Sequence, residues 1–272
     1  MNFYKKNKIY LAFSMGSLKR SMAYNANIFL GTIGNIIIVS VTFFLWKAIY
    51  SSSSKGIMKG FTLNDMLIYV MITFVIGIIT SSNCTMVVRG EVWDGSIAME
   101  LIKPINYRKR IMFMSFGGFL FNFIFLFLPG FIIVTAYSFY KGMHIGIIQI
   151  VLFFISMFLG FLINSFYSYM FGLLAFKFYN VWGLSQIANA IVMLISGALI
   201  PLTFFPSIVE KIFSLLPFSS IIYTPAMIYL GKYDAIYALK MIVLQVIWVF
   251  IMSVLSKLIW NRLAYKLTIQ GG

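Results

Sequence analysis

Apolar residues run along this chain in long blocks separated by short polar connections. Six blocks, at 28–46, 66–88, 111–137, 145–176, 184–200 and 238–260, carry almost no charge. A stretch of roughly 17–25 apolar residues is long enough to cross the hydrocarbon core of a bilayer. The pattern therefore predicts an all-α integral membrane protein with six transmembrane helices. Pro129 falls inside the third block and is expected to kink it, because proline lacks the N–H and clashes with the preceding turn. The fourth block is too long for a straight crossing, so it is expected to tilt or project beyond the bilayer.

The remaining segments have their own patterns. Residues 1–22 read as an interfacial helix: Tyr4, Leu11, Met15, Leu18 and Met22 share a narrow arc, and Lys5, Lys6 and Arg20 lie opposite. Ile9 and Phe13 interrupt that stripe. Between the fifth and sixth blocks, Pro201, Pro206, Pro217 and Pro225 break a still apolar stretch that runs to Gly231. Short, partly re-entrant helices are expected there, since irregular backbone at membrane depth must be enclosed by protein or water. The whole chain then reads as one membrane domain over 1–272: the interfacial helix at 1–22, six spans within 23–260, and a basic tail at 261–272.

Composition confirms the class. Of 272 residues, 61% are hydrophobic and only 10% charged, and the mean hydropathy is +0.96. A soluble globular chain carries roughly a quarter charged residues. The formal charge of +15 would direct a soluble protein toward nucleic acid. In a membrane chain it marks the cytoplasmic side and contacts with anionic lipid, and no segment resembles a nucleic-acid module. With the N-terminus inside, the inner segments hold Lys5, Lys6, Lys8, Lys19, Arg20, Arg89, Lys103, Arg108, Lys109, Arg110, Lys177, Lys257, Arg262 and Lys266. These are fourteen of the 21 basic residues. The excess predicts both termini in the cytoplasm of a cell-membrane protein. No small-residue cleavage site follows the basic N-terminal stretch, so no removed signal peptide is expected.

Catalytic machinery is not legible. There is no Gly-x-x-x-x-Gly-Lys-Ser/Thr phosphate-binding loop. His144 is the one histidine and Cys84 the one cysteine, and no metal-ligand spacing occurs. All six acids (Asp65, Glu91, Asp94, Glu100, Glu210 and Asp234) fall in loops or near span ends. No mid-span carboxylate is available for the proton or ion relay that many self-powered carriers use. Uncharged polar groups do occur within the spans: Asn25, Asn27, Thr32, Asn35, Thr73, Thr80, Asn122, Asn164, Ser165, Gln186, Asn189 and Gln245. They fit interhelical hydrogen bonding or the lining of a path, for which Asn35, Asn164, Gln186 and Asn189 are the candidates. Gly31, Gly34, Gly117 and Gly118 fit close helix packing.

The connection Arg89–Arg110 reads RGEVWDGSIAMELIKPINYRKR. Its middle predicts a short helix over 94–103, with Asp94 as N-cap, an apolar face of Ile97, Ala98, Leu101 and Ile102, and Pro104 as terminator. Such a helix is either a plain intracellular loop or a docking element for a groove on a cytoplasmic protein.

Three stretches carry a family resemblance: GEVWDGSIAMELIKPI, with Gly90, Gly95, Leu101 and Pro104 at its key points, SGALIPLTFFP from Ser196, and LPFSSIIYTPAMIYLG from Leu216. With them the chain resembles a permease subunit of the ABC type 2 exporters, in the branch of the daunorubicin-resistance and viologen-export permeases. The resemblance implies two permeases paired in the membrane, as a homodimer or heterodimer, each on one subunit of a P-loop ATPase dimer that holds the ATP and Mg, with no cofactor on this chain. It further implies that Asp94, Gly95, Ile97, Glu100, Leu101, Ile102, Lys103 and Pro104 form the coupling element, that residues 1–22 also touch the ATPase, and that Pro201, Phe204, Phe205 and Pro206 belong to an outer gate. The expected function is ATP-driven export of a hydrophobic or amphipathic substrate. An ion-coupled carrier or channel, and a membrane-embedded enzyme, are the other classes considered.

Overall fold

The computed structural model describes residues 3–23, 25–53, 56–178 and 181–264, with the side chains of 3–7, 25–30 and 32 excepted. It is almost entirely helical. A two-residue antiparallel hairpin, β1 (Ile57–Met58) with β2 (Phe61–Thr62), is the strand pairing among the described residues.

Helix α1 spans Phe3–Ala23 and α2 spans Asn25–Ser52. Helix α3 (Leu63–Thr80) opens with a capping box between Thr62 and Asp65. It is the centre of the molecule: Met66, Leu67, Ile68, Tyr69 and Val70 are all buried in sequence, so every side of the helix faces protein. The chain then departs from helix at 81–83 and resumes as α4 (Cys84–Trp93) and α5 (Ile97–Ile102). The second apolar block, expected as one continuous span, is thus two helices around a break.

Span three is α6 (Tyr107–Asn122), a π-helical turn at Phe123–Phe127, and α7 (Leu128–Tyr140). Pro129 explains the π turn. It has no N–H for the carbonyl four residues back and would clash with it, so the preceding turn widens and the helix continues. Phe119, Phe123, Phe127 and Phe131 then stack at one-turn intervals. Helix α8 (Ile147–Gly172) ends in a 3-10 turn at Leu173–Phe176 and packs along α12 (Ala235–Ala264).

Among the described residues, five helical stretches are long and apolar enough to cross a membrane: Ile33–Ser52, Leu63–Trp93, Tyr107–Tyr140, Ile147–Phe176 and Ala235–Ala264. Helix α9 (Val181–Ile195) has only 15 residues and falls short by length. After it come a 3-10 turn (Leu202–Phe204), α10 (Ser207–Leu215) and α11 (Tyr223–Tyr229), as the four prolines led one to expect. All of α11 is buried, packed against α8 and α3.

Buried irregular backbone needs partners, and side-chain amides supply them. Gln149 Nε2 donates to the carbonyls of Ile228 and Tyr229 at 2.9 and 2.8 Å. Gln245 Nε2 donates to those of Ser156 and Ser220 at 3.1 and 2.7 Å. Gly160 permits the approach, because a Cβ there would stand 2.8 Å from the Ile221 carbonyl oxygen.

Helix α1 lies along α6. Tyr10 Oη accepts from the Asn106 amide at 2.9 Å, and Ser14 Oγ donates to the Phe113 carbonyl at 2.6 Å. A Cβ on Gly117 would sit 2.1 Å from the Ser14 carbonyl oxygen, so the two backbones meet there. Both helices advance in the same direction. The face of α1 turned to the protein is Tyr10, Ser14 and Ser17, whereas Leu11, Met15 and Met22 of the predicted stripe point outward. Tyr4, Lys5 and Lys6, also assigned to this helix's faces, lie outside the described side chains, and Lys266 and the rest of the tail beyond 264 lie outside the described residues.

Candidate functional site

The break in the second span is the starting point. Thr80, Ser81, Ser82 and Asn83 are four short polar residues in a row, and such side chains compete with the helix for backbone groups. The carbonyls and amides released at the break find partners on neighbouring helices. Asn164 Nδ2 donates to the Thr80 carbonyl at 2.8 Å, and Asn122 Nδ2 to that of Ile78 at 3.1 Å. Ser168 Oγ accepts the Thr85 amide at 3.1 Å and donates to the Ser82 carbonyl at 3.3 Å. Thr85 Oγ1 donates to the Ser168 carbonyl at 2.7 Å. Gly172 permits this contact, since a Cβ would lie 3.0 Å from the Cα of Thr85. Oxygens of Ser82, Ser115 and Ser165 form a chain at 3.0 and 3.2 Å.

This polar girdle borders a cleft of about 760 Å³ lined by α1, α2, α3, α4, α6, α8 and α9. Its α2 wall is Gly31, Asn35, Ile38, Val39 and Thr42, whose three- and four-residue spacing is one helix face. Of the four residues proposed for a path, Asn35, Asn164 and Asn189 line this cleft and Gln186 does not. Gln186 and Asn189 are three residues apart on α9 and both exposed, so only the helix's rotation separates them. Gln245, by contrast, is wholly buried in helix packing. Asn25, Asn27 and Thr32 lie outside the described side chains.

Sequence reading missed Arg20. It was placed opposite the lipid-facing stripe of α1, and the structure turns that side of α1 into the cleft. Gly117 fulfils the expected packing role, whereas Gly31 and Gly118 line open space in the cleft and Gly34 has nothing near it. Cys84 also borders the cleft and is buried.

The α4–α5 corner stands next to the break along the chain. The predicted helix over 94–103 is shorter than expected and covers Ile97–Ile102. Asp94 does not cap its start. It ends α4, donating its amide to the Gly90 carbonyl, while its carboxylate takes the Ser96 amide at 2.9 Å. The Ser96 hydroxyl and amide hold the Asp94 carboxyl below the usual carboxylate range. Gly95 has φ +75°, the left-handed conformation that closes a helix and that glycine adopts at least cost. Lys103 is extended and Pro104 follows it, as a terminator should.

The expected apolar face divides. Ile97 packs into a cluster with Val88, Tyr107, Ile111 and Trp260. Met99 and Ile102 are 67% and 73% exposed, and Leu101 38%. An ion-pair network around the buried Arg110 holds this corner to span three. Arg110 Nη2 reaches both carboxylate oxygens of Glu91 at 2.6 Å, and its Nε lies 3.5 Å from Glu100, which also pairs with Lys103 at 2.6 Å. Tyr107 donates its hydroxyl to Glu91 at 2.7 Å. Arg108 donates to the Ser253 carbonyl at 2.6 Å and to Ser256 Oγ at 2.9 Å on α12. Of the basic run 108–110, which charge counting assigned to lipid headgroups, Arg108 and Arg110 are structural and only Lys109 is exposed.

At the far end of α3, the residues expected at a gate form an aromatic cap. Phe204 packs on Trp46 and Phe61, with ring centroids 5.4 and 6.0 Å apart, and Phe205 on Phe213 at 5.6 Å. Pro201 and Pro206 directly precede the 3-10 turn and α10. Tyr69 donates to the Gly197 carbonyl, and Lys232 pairs with Asp65 at 2.7 Å.

A bundle of long apolar helices around a polar cleft free of acidic side chains among the described residues, with an exposed apolar corner on a short connection, is the architecture of a multi-pass membrane transport component. Residues 36–271 match the family of ABC-2 family transporter proteins. The chain belongs to that family, whose members are membrane partners of an ABC ATPase. No curated protein matches the chain by direct sequence comparison.

Proposed function

We propose that this chain is the permease subunit of an ATP-driven exporter that moves a hydrophobic or amphipathic substrate out across the cytoplasmic membrane. The observation that carries this reading is the α4–α5 corner. Arg110 and Glu91 fix it to the body, yet it offers Met99, Leu101 and Ile102 to a partner. An apolar surface of this kind suits a groove on an ATPase. ATP and Mg²⁺ belong to that partner. A displacement of the corner passes along α4 to the break at 81–83, which forms a wall of the cleft. The break therefore acts as a hinge between the corner and the buried α3. The branch resemblance rests on the loop motifs and does not specify the cargo.

The sixth crossing is assigned to α9. Its 15 residues rise about 22 Å, and the bend at 196–200 supplies the remaining depth. Six crossings put both termini in the cytoplasm, in keeping with the basic residues. Ile33, Ile37 and Phe44 on α2, and Ile187 and Ile191 on α9, are exposed and offer an apolar face to a second permease. The aromatic cap over Trp46 and Phe204 is the outer gate, with α10 and α11 as re-entrant elements behind it.

The test is co-purification. Wild-type chain expressed from its native locus should bring down a P-loop ATPase, and the double substitution Leu101→Asp/Ile102→Asp should abolish that while the chain still inserts and remains monodisperse. Equal recovery of the ATPase by the variant would refute the docking assignment.

A further inference from the structure

We propose that the cleft selects its cargo by charge, taking a small amphiphile with an anionic group and rejecting cations, with Arg20 as the selecting residue. The proposal rests on the cleft being the cargo path and names the class of cargo.

Arg20 is the one charged side chain among the described residues that line the cleft. Every acid of the chain is accounted for elsewhere. Glu91 and Glu100 pair with Arg110, and Asp65 with Lys232. Asp94 is exposed beyond α4, and Glu210 and Asp234 lie between α9 and α12. None lines the cleft, and Arg20 makes no ion pair with a described residue.

Position makes this charge significant. Ser17 meets Gly117, which is ten residues inside α6, or about 15 Å of helical rise. Arg20 lies three residues further along α1, which runs in the same direction as α6. Arg20 is exposed on the wall of the cleft, so its guanidinium is open to an anion that enters there. Its planar donors match a carboxylate, phosphate or sulfate.

The rest of the wall completes the specificity. Asn35, Asn83 and Asn189 line the cleft, and their side-chain amides make no hydrogen bond to another described residue. Their amides are available to an uncharged polar portion of the cargo. Ile38, Val39 and Phe74 provide apolar surface beside them. The volume of about 760 Å³ falls within the roughly 300–1,000 Å³ of small-molecule sites.

The test uses the intact permease, with the ATPase that co-purifies with it, in phosphatidylcholine nanodiscs. The probes are dansyl-labelled undecanoate and the matching dansyl-labelled undecyl trimethylammonium ion, titrated by fluorescence. Wild type should bind the carboxylate about tenfold more tightly than the cation, as one desolvated charge pair allows. Arg20→Lys should keep that preference, Arg20→Gln erase it and Arg20→Glu reverse it. Arg20 has no ion-pair partner among the described residues, so these variants are expected to fold. Equal affinity of wild type for the two probes, or an anion preference that survives Arg20→Glu, overturns the proposal. Adding phosphatidylglycerol to the discs separates two sources of the same chemistry. Competition supports the site with a bilayer lipid as its occupant, and lack of competition supports it with a free amphiphile. Charge-selective binding without ATP-driven movement of the probe would overturn the export reading and leave the site standing. Export without charge preference would do the reverse.

Discussion

Replacing Glu91 with leucine removes both oxygens that Arg110 Nη2 contacts at 2.6 Å, and with them the acceptor of the Tyr107 hydroxyl. The Arg110 side chain is only 5% exposed, so water cannot fully replace the lost partner. Breaking a buried ion pair by deleting one member costs about 3–5 kcal/mol. Glu100 remains 3.5 Å from Arg110 Nε, but it is shared with Lys103 and compensates only in part. The orphaned tyrosine hydroxyl adds about 1 kcal/mol. A net loss of about 3 kcal/mol is therefore expected for Glu91→Leu. SDS titration in mixed micelles, followed by tryptophan fluorescence and far-UV circular dichroism, measures it. The double substitution Glu91→Leu/Arg110→Met should recover most of the loss, because an apolar pair of similar volume carries no desolvation penalty. A single variant less than about 1 kcal/mol below wild type, or a double variant worse than the single one, would refute the reasoning.

Two other substitutions examine the packing around the cleft. Gly117→Leu drives its Cβ to 2.1 Å from the Ser14 carbonyl oxygen and should displace α1 at a cost of about 1–3 kcal/mol; Ser14→Cys, buried in the parent, should then become maleimide-reactive while buried Cys84 stays protected. Asn164→Leu leaves the Thr80 carbonyl without its 2.8 Å donor and should cost about 1 kcal/mol. An unchanged SDS midpoint for Asn164→Leu would show that the break does not depend on span four.

Much of the architecture was legible in the chain because it depends on local composition. Long uncharged runs have no alternative to the bilayer, so the helices announced themselves. Gly95 and Pro104 bounded the short connecting helix because each restricts its own backbone. Of the four prolines after α9, Pro201 and Pro206 stand at helix starts and Pro217 in a turn, and Pro225 falls in the first turn of α11, where its missing N–H costs no helical bond. The cleft was less legible. Thr80–Asn83 reads as an ordinary polar patch in a span, since serine and threonine within a helix commonly bond to its own carbonyls. That the helix breaks there depends on Asn122, Asn164 and Ser168, which are 40 to 90 residues away in sequence and could not be paired with it by spacing alone. The same is true of Gln186 and Asn189, which differ only in the angle at which α9 faces its neighbours.

Charge shows the division most clearly. The count of basic residues and their clustering between spans are properties of the sequence, and they determine which side of a membrane the loops prefer, because that preference sums over residues whatever their partners. What each charge does was decided by tertiary contacts. Arg110 became a buried strut when Glu91 and Glu100 folded around it. Arg108 became a tie to α12. Arg20 entered the cleft because Gly117 let α1 lie directly against α6. Without that contact it is one more basic residue on an amphipathic helix, and with it the cleft has its one fixed charge.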